Sequence, residues 1–421
     1  MKQFSYIGLL LALFALCGAN PAWAASAELE DRVKALEEKL LQESRDFRVY
    51  WDNGLNFDSR DKKFKYRIGG RMQYDWAFLD ADAALESRFG PQNSGAEARR
   101  ARLFISGLLY NRVLFKAQYD FAGASPAFKD VFMGLIGVPV VGNMLIGHFQ
   151  EPFSLEELTS NKYLTFMERS LLFETFNPDR NLGIAFYNQE LNHRLFWAAG
   201  VFRDTGETPP VTRGGDYALT GRVAGLPWYE EKGRKLLHLG ISYSHRKPAA
   251  GTIQFRARPE VHLAGSRFVD TGVLLSGDVD QANGEAAVVF GPFSLQGEYS
   301  RALLTTPAAP DADLDGFYAH ASWFLTGEHR PYKGGSFARL FPRKNFLEGR
   351  GIGAWQIAAR YSQVDLDDPV AGVRGGFLET LTFGVNWYLN PHTKMMFNYV
   401  NADPAAAGEL NAYQVRFQVD F

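Results

Sequence analysis

The sequence has 421 residues, 14% of them aromatic, one cysteine, and 45 basic against 47 acidic side chains, which gives a formal net charge of −2. This near balance gives no sign of a nucleic-acid partner, and a single cysteine excludes a disulfide framework and a Cys-ligated metal site. Beyond residue 24 no apolar run reaches the ~20 residues that a membrane-spanning helix needs.

The N-terminus predicts an export signal over residues 1–24. Lys2 provides a positive start, Ile7–Leu16 an apolar run, and Ala22 and Ala24 the small residues that a signal peptidase reads. We therefore expect cleavage after Ala24. Two alternatives are a membrane-anchor helix, for which the run is short, and a lipoprotein signal at Cys17, whose preceding leucine is larger than such signals prefer.

Residues 25–46 predict a short periplasmic coiled-coil helix. Apolar residues spaced four, three and four apart form a coiled-coil stripe, and they are Leu29, Val33, Leu36 and Leu40. Arg32 and Glu37 fall at positions that meet between parallel chains, which favours pairing of identical chains that a larger domain already holds together. The alternative is a single amphipathic helix that rests on the mouth of a larger domain.

The C-terminus predicts a membrane-facing strand. Every second residue is apolar, ending on an aromatic side chain, and these residues are Tyr413, Val415, Phe417, Val419 and Phe421. The intervening residues are polar or charged, so one face of an extended strand is apolar and the other is not. A half-buried strand of a soluble sheet would give the same pattern. Its position after an export signal favours a transmembrane strand.

The middle of the chain repeats this alternation between turn residues. Seventeen segments fit, and because single-chain bacterial barrels favour even strand numbers, we omit the irregular Thr252–Arg258. The prediction is an all-β fold, a 16-stranded antiparallel transmembrane β-barrel over residues 47–421, located in the outer membrane. A tight periplasmic turn is expected at Asn111-Arg112. The longest connections should be extracellular or folded into the lumen, and they are Glu151–Asn181, Arg203–Asp216, Val261–Asn283 and Gly327–Arg350.

Basic residues recur on the polar face of these strands. An arginine there offers a planar fork that matches an oxyanion and stays charged, and rings of such residues make pores anion-selective. Asp75, Asp120 and Glu298 share that face, so composition alone leaves anion preference open. The strand residues that we expect to line the pore are Arg67, Arg71, Arg102, Lys116 and Arg222.

The connection Glu151–Asn181 is too long for a plain turn. Ser154 followed three residues later by Glu157 is a capping box, which predicts a short helix. Such a loop can fold inward and narrow the barrel, or it can cover the mouth from outside. The basic residues that would line an inward constriction are Lys162, Arg169 and Arg180.

Four stretches of sequence resemble the phosphate-selective porins O and P. They are Gly69–Asp75, Arg99–Leu103, Gly147–Ser160 and Phe166–Arg169. The resemblance implies a trimeric, sixteen-stranded porin in outer-membrane lipid, whose third loop forms an anion-selective constriction for small anions such as phosphate. Only the loop stretch carries over by position, and it assigns that role to Lys162 and Arg169.

Other functions fit the sequence less well. A general or sugar-permeable porin is the nearest alternative, although the aromatic candidates Phe104, Tyr187 and Tyr318 are too dispersed for a stacking track. A structural or adhesive barrel is a further alternative. We do not expect an enzyme, a metal site or a cofactor, because the histidines are scattered and neither a nucleophile motif nor HExxH occurs.

Overall fold

The computed structural model describes residues 31–38, 47–203, 205, 216–248, 251–307, 310–405 and 407–421. The predicted signal peptide and two residues of the coiled-coil stripe, Leu29 and Leu40, lie outside them. Residues 31–38 are helical, with Val33 and Leu36 exposed at 44% and 58%. The described part of the predicted coiled-coil segment is therefore helical, and a coiled-coil helix over residues 25–46 that pairs with other chains stays a prediction.

Sixteen antiparallel strands close into one barrel, as the alternation predicted. Each strand pairs with the next, and the last pairs with the first over Leu410↔Ala81 to Asp420↔Arg71. Closure gives every strand two partners, which a wall in hydrocarbon requires. In chain order, strands β1 to β16 are Phe64–Ala81, Gly95–Leu109, Val113–Asp120, Ala127–Val138, Gly142–Gln150, Arg180–Glu190, Leu195–Arg203, Tyr217–Glu230, Lys235–Lys247, Val279–Phe290, Phe293–Leu304, Ala312–Phe324, Ala354–Asp368, Val373–Asn390, Thr393–Asp403 and Leu410–Asp420.

The alternation sorts side chains between lipid and lumen. In β16, Tyr413 and Phe417 are 55% and 38% exposed on the outer face, whereas Gln414 and Arg416 are 5% and 1% exposed on the inner face. Omitting Thr252–Arg258 from the barrel was correct, because the short strands there, Thr252–Ile253 and Arg256–Ala257, pair only with Leu274–Leu275 and Val269–Asp270.

One arginine links the closing seam to an inward loop. Arg416 on β16 donates to both carboxylate oxygens of Asp75 on β1, with its Nε 2.7 Å from Oδ1. Its Nη2 also lies 2.6 Å from Oε1 of Glu168, in the loop after β5. The seam and an inward loop therefore share one buried guanidinium.

Short turns mark the end of the barrel at which the chain enters. The predicted Asn111-Arg112 turn is present, with positive φ angles of 51° at Tyr110 and 53° at Asn111. By the rule for bacterial barrels this end is periplasmic. A hairpin of Phe47–Trp51 and Leu55–Ser59 extends the wall beyond it, pairing with β1 next to the C-terminus.

One long connection corrects the sequence analysis. We considered Gly327–Arg350 extracellular or lumenal, but residues 325–353 join β12 to β13 and so begin at the periplasmic end, where residues 110–112 also turn. The extracellular alternative is wrong because strand direction alternates. The first part of this connection does enter the lumen, where Phe337 packs with Leu155 and Leu226.

Two external loops also fill the lumen. The third loop, residues 151–179, carries helices α1, Leu155–Leu158, and α2, Leu171–Phe176. The fifth loop contributes residues 251–278, and a further helix, Ala83–Phe89, follows β1, while a 3₁₀ turn lies at Glu231–Gly233. No helix among the residues that the structure describes is long and apolar enough to cross a membrane.

Candidate pore constriction

The start of the third loop is fixed to the lumen wall. The backbone N–H groups of Leu155 and Glu156 donate to the two carboxylate oxygens of Glu298 on β11, at 3.1 and 2.7 Å. Ser154 Oγ accepts from the N–H of Glu157 at 3.2 Å, as the predicted capping box requires. The return bond of that box is missing, because Ser154 N–H donates to Ser242 Oγ instead, at 3.2 Å.

Arg169 braces this loop from within. Its guanidinium donates to the carbonyl oxygens of Glu156, Glu157 and Thr159 at 3.0, 3.0 and 2.9 Å. It also lies over the ring of Phe173, 4.3 Å from the centroid. Burial raises the pKa of Glu157 well above its usual range, and Asp179 adds to this effect. The loop core therefore places a buried carboxyl group beside a fully engaged arginine.

A glutamate of the fifth loop binds the second half of the third loop. The carboxylate of Glu260 accepts from Arg360 Nε at 3.1 Å and from Ser362 Oγ at 2.6 Å, both on β13. It also accepts from Thr382 Oγ1 on β14 at 2.9 Å and from the N–H of Leu171 at 3.2 Å. One buried glutamate from an external loop thus joins the wall to the inward loop.

A cavity of about 780 Å³ lies between the third loop and the wall formed by β1 to β4. Nine basic and seven acidic side chains line it, an excess of two basic residues before His262 is counted. The basic residues are Arg71, Arg99, Arg100, Arg102, Lys116, Lys129, Arg169, Arg180 and Arg258. The acidic residues are Glu97, Asp120, Asp130, Glu168, Glu174, Asp179 and Glu260.

Most of these cations form an ion pair with a carboxylate of the same cavity. Arg102 Nε lies 2.6 Å from Asp120 Oδ2, and Arg180 Nε lies 2.7 Å from Asp130 Oδ1. Lys116 binds the other oxygen of Asp130. The wall therefore presents cations in pairs and triads with aspartate, arranged along one side of the cavity.

Three arginines near the seam surround the carboxylate of Glu168. Arg99 donates to both of its carboxylate oxygens at 2.9 Å, and Arg100 Nη2 lies 3.6 Å away. Although burial raises the pKa of Glu168, Arg99, Arg100 and Arg416 lower it well below its usual range. Glu168 is therefore ionised.

Arg71 differs from these paired cations. Its side chain is buried, with 6% exposed, and its guanidinium bonds Asn161 Oδ1, Ser160 Oγ at 3.3 Å and Gln118 Oε1 at 3.5 Å. All three acceptors are neutral, and no carboxylate among the described residues forms an ion pair with it. A buried guanidinium without a bound carboxylate is a position where an anion is favoured.

The structure brings five of the eight predicted lining residues to this cavity: Arg71, Arg102, Lys116, Arg169 and Arg180. Arg67 lies nearer the periplasmic end over the ring of Phe104, 5.2 Å from its centroid. Arg222 lies elsewhere in the lumen, where it binds Glu285 and donates to the carbonyl of Gly335 at 2.9 Å.

Lys162 faces the opposite, periplasmic side of the third loop. Its Nζ lies 3.4 Å from Asp420 Oδ2, and it lines a small space with Arg330, Arg339 and Lys394. Burial lowers the pKa of Lys162 to about 8, an effect that Asp420 partly opposes. Lys162 is therefore separate from the cavity that holds Arg169.

Sequence reasoning missed three basic residues of the cavity, Arg99, Arg100 and Lys129, and placed Arg258 on a polar face without counting it among the lining residues. Arg100 was detectable, because it stands two residues before Arg102 and so shares its face. Arg258 lay in the segment omitted from the barrel, which the structure places in the fifth loop.

The three aromatic residues considered for a sugar-stacking track lie in different places and make different contacts. Tyr318 donates its hydroxyl to Glu298 at 2.6 Å, and Phe104 supports the cations Arg67 and Lys116. Tyr187 lines a separate recess between β5 and β8. These three rings form no common stacking surface.

Comparison with known proteins places these features in context. The family model for phosphate-selective porins O and P matches residues 66–421. An uncharacterized protein of Caulobacter vibrioides is 32% identical over 400 residues, covering 89% of this chain and 77% of that protein. Porin O of Pseudomonas aeruginosa is 26% identical over 415 residues, covering 90% and 92% of the two chains. The solved anion-selective porin from Comamonas acidovorans superposes with a TM-score of 0.56 at 15% identity, covering 85% of this chain and 100% of that one.

Proposed function

Because this chain belongs to the phosphate-selective porin O and P family, it is an outer-membrane porin rather than an enzyme, and we propose that it selects small anions, phosphate among them. The proposed filter is the cavity under the third loop. We also propose that residues 1–24 are cleaved on export, and that three copies assemble with their N-terminal segments, which include the helix at residues 31–38, side by side.

The neutral hydrogen-bond partners of Arg71 are the observation that carries the proposal. Its partners Asn161, Ser160 and Gln118 orient the guanidinium without neutralising it. A small anion entering the cavity supplies the missing charge, and hydrogen bonds from a cation to an oxyanion are about twice as strong as neutral ones. Selection then depends on Arg71, whose bonded partners are neutral, more than on the total charge of the cavity.

The paired cations supply a path toward that position. Arg102, Lys116 and Arg180 each hold an aspartate, so an oxyanion can share their N–H groups without being held tightly. Phosphate fits such groups because its oxygens accept from planar guanidinium forks. Several moderate sites in a row let an ion enter and leave, which conduction requires.

The test is the reversal potential of the protein in a planar bilayer, measured across a salt gradient with chloride and then phosphate. At an effective dielectric constant of about 20, one positive charge ~8 Å from a permeating anion lowers the energy of that anion by about 2 kcal/mol, and screening by salt reduces this effect. Arg71→Gln should therefore lower the anion-to-cation permeability ratio about three- to tenfold. Arg67→Gln, on the same face of the same strand but outside the cavity, is the matched control and should change it less.

Two outcomes separate the alternatives. Equal effects of Arg71→Gln and Arg67→Gln would place the filter elsewhere. A wild-type channel that prefers cations would contradict anion selection and leave a general porin. That second candidate is favoured by one observation, the seven carboxylates that nearly balance the nine cations of the cavity.

A further inference from the structure

The second half of the periplasmic connection, residues 341–352, turns out of the barrel onto its outer wall; we call it the foot. The N–H of Phe346 donates to the carbonyl of Leu389 at 2.7 Å, and the indoles of Trp355 and Trp387 donate to the carbonyl of Ile352 at 3.2 and 2.9 Å. Phe346 also packs edge-on against Trp387, with centroids 4.8 Å apart. The foot is therefore a fixed part of the molecule.

The wall that holds the foot is the lipid-facing one. Trp355 and Trp387 are paired across β13 and β14 and stack at 5.1 Å. Ile357 and Phe383, on the same faces of these strands, are 43% and 49% exposed. Aromatic residues at such a position mark the boundary between hydrocarbon and water. The foot thus lies at the periplasmic edge of the membrane.

The foot exposes large apolar side chains. Leu347, Ile352 and Phe341 are 78%, 61% and 60% exposed. Leu347 has a positive φ of 64°, a conformation that favours glycine or asparagine over a branched apolar residue. Neither the backbone nor burial within this chain explains leucine there.

Basic residues alternate with these apolar ones. Lys344 and Arg350 are exposed and form no ion pair within the described part of the chain. Arg343 is also exposed and donates to the carbonyls of Thr326 and Gly327. The one acidic residue, Glu348, accepts from Asn345 at 2.8 Å. This combination of apolar and basic side chains suits an interface with anionic lipid.

We propose that the foot is a membrane anchor for anionic phospholipid in the periplasmic leaflet. Leu347, Ile352 and Phe341 enter the region between headgroups and acyl chains. Lys344 and Arg350 bind headgroup phosphates, each contributing the attraction of a surface cation to an anionic leaflet. Continuity with the tryptophan pair and this charge complementarity select lipid as the occupant.

Depth is tested with nitroxide labels on Leu347→Cys and, as the matched control, Val370→Cys, each with Cys17 replaced by serine. Val370 has the same exposure, 78%, in the external turn between β13 and β14. In vesicles of phosphatidylcholine and phosphatidylglycerol, the label at 347 should favour collisions with oxygen and the label at 370 collisions with a water-soluble nickel complex. Equal access of nickel to both positions would overturn the anchor.

Lipid preference is tested by native mass spectrometry after extraction in mild detergent. Wild-type protein should retain more phosphatidylglycerol than phosphatidylcholine, and Lys344→Glu with Arg350→Glu should reduce retained phosphatidylglycerol several-fold. Lys62→Glu with Lys232→Glu makes the same charge change at other periplasmic turns and should retain the wild-type amount. Equal retention by both double variants would contradict the proposed headgroup contact.

A second copy of this chain is the competing occupant. If copies met at the foot, labels at position 347 would broaden each other's spectra, and dilution with unlabelled chain would remove the broadening. That result would assign the foot to a subunit contact and overturn its role in lipid binding.

Discussion

Replacing Arg169 with methionine should loosen the third loop while leaving the barrel intact. The side chain would still pack on Phe173, but three hydrogen bonds to loop carbonyls, of 3.0, 3.0 and 2.9 Å, would be lost. Hydrogen bonds from charged donors contribute roughly 1.5–3 kcal/mol each, and water can replace part of that here. A net loss of about 3 kcal/mol raises the population of the opened loop about a hundredfold.

Single-channel recording measures this change. Arg169→Met should increase open-channel noise and mean conductance, whereas heat-modifiable migration should stay normal because no strand pairing is altered. Lys116→Met is the matched control, since it also removes one cation from the cavity lining but lies on the barrel wall, where Asp130 keeps Arg180 as its partner. Equal noise and conductance in the two variants would refute the bracing role of Arg169.

Three further predictions concern charge, insertion and assembly. Because the pKa of Lys162 is lowered to about 8, it loses its charge as the pH rises from 7 to 9. Lys162 lies outside the proposed filter but lines the lumen on the periplasmic side of the third loop, so anion preference in reversal-potential measurements should fall modestly over that range. Lys162→Arg should reduce this dependence, and an unchanged dependence would show that Lys162 does not act on permeating anions. Phe421→Asp places a carboxylate on the lipid-facing register, where Phe421 and Gly70 exchange backbone hydrogen bonds, at a cost of up to a few kcal/mol; it should assemble poorly, and normal heat-modifiable migration would show the register to be wrong. Mass measurement in mild detergent should give three chains, and deletion of residues 25–45 should weaken the trimer without abolishing the barrel, whereas a clean monomer at micromolar protein would exclude a stable trimer.

The wall of this protein was predictable because lipid on one side and polar groups on the other impose a period of two on every strand. At Thr252–Arg258 the alternation is weak. The structure explains this, because the short strands there pair within the fifth loop and do not face lipid. The direction of each strand also follows from its place in the order of strands, because consecutive strands run in opposite directions. It places residues 325–353 at the periplasmic end, a deduction that loop length alone obscured.

The filter was less predictable because loops obey no such period. Sequence position grouped Lys162 with Arg169, yet the third loop crosses the lumen and puts them on opposite sides. Nor does sequence reveal which cations are neutralised. Arg71 and Arg102 occupy equivalent lumenal positions, and only the fold shows that Arg102 holds Asp120 while Arg71 meets neutral side chains.

The buried Arg416 has a consequence for the order in which the molecule forms. It joins Asp75 at the beginning of the barrel to the last strand, and in the same place it binds Glu168 of the third loop. Contacts between such distant parts of a chain form late, because the loop they close is long. A barrel whose final strand has not yet arrived thus lacks one anchor of its inward loop as well as its seam. Sealing of the wall and completion of this anchor are one event during assembly.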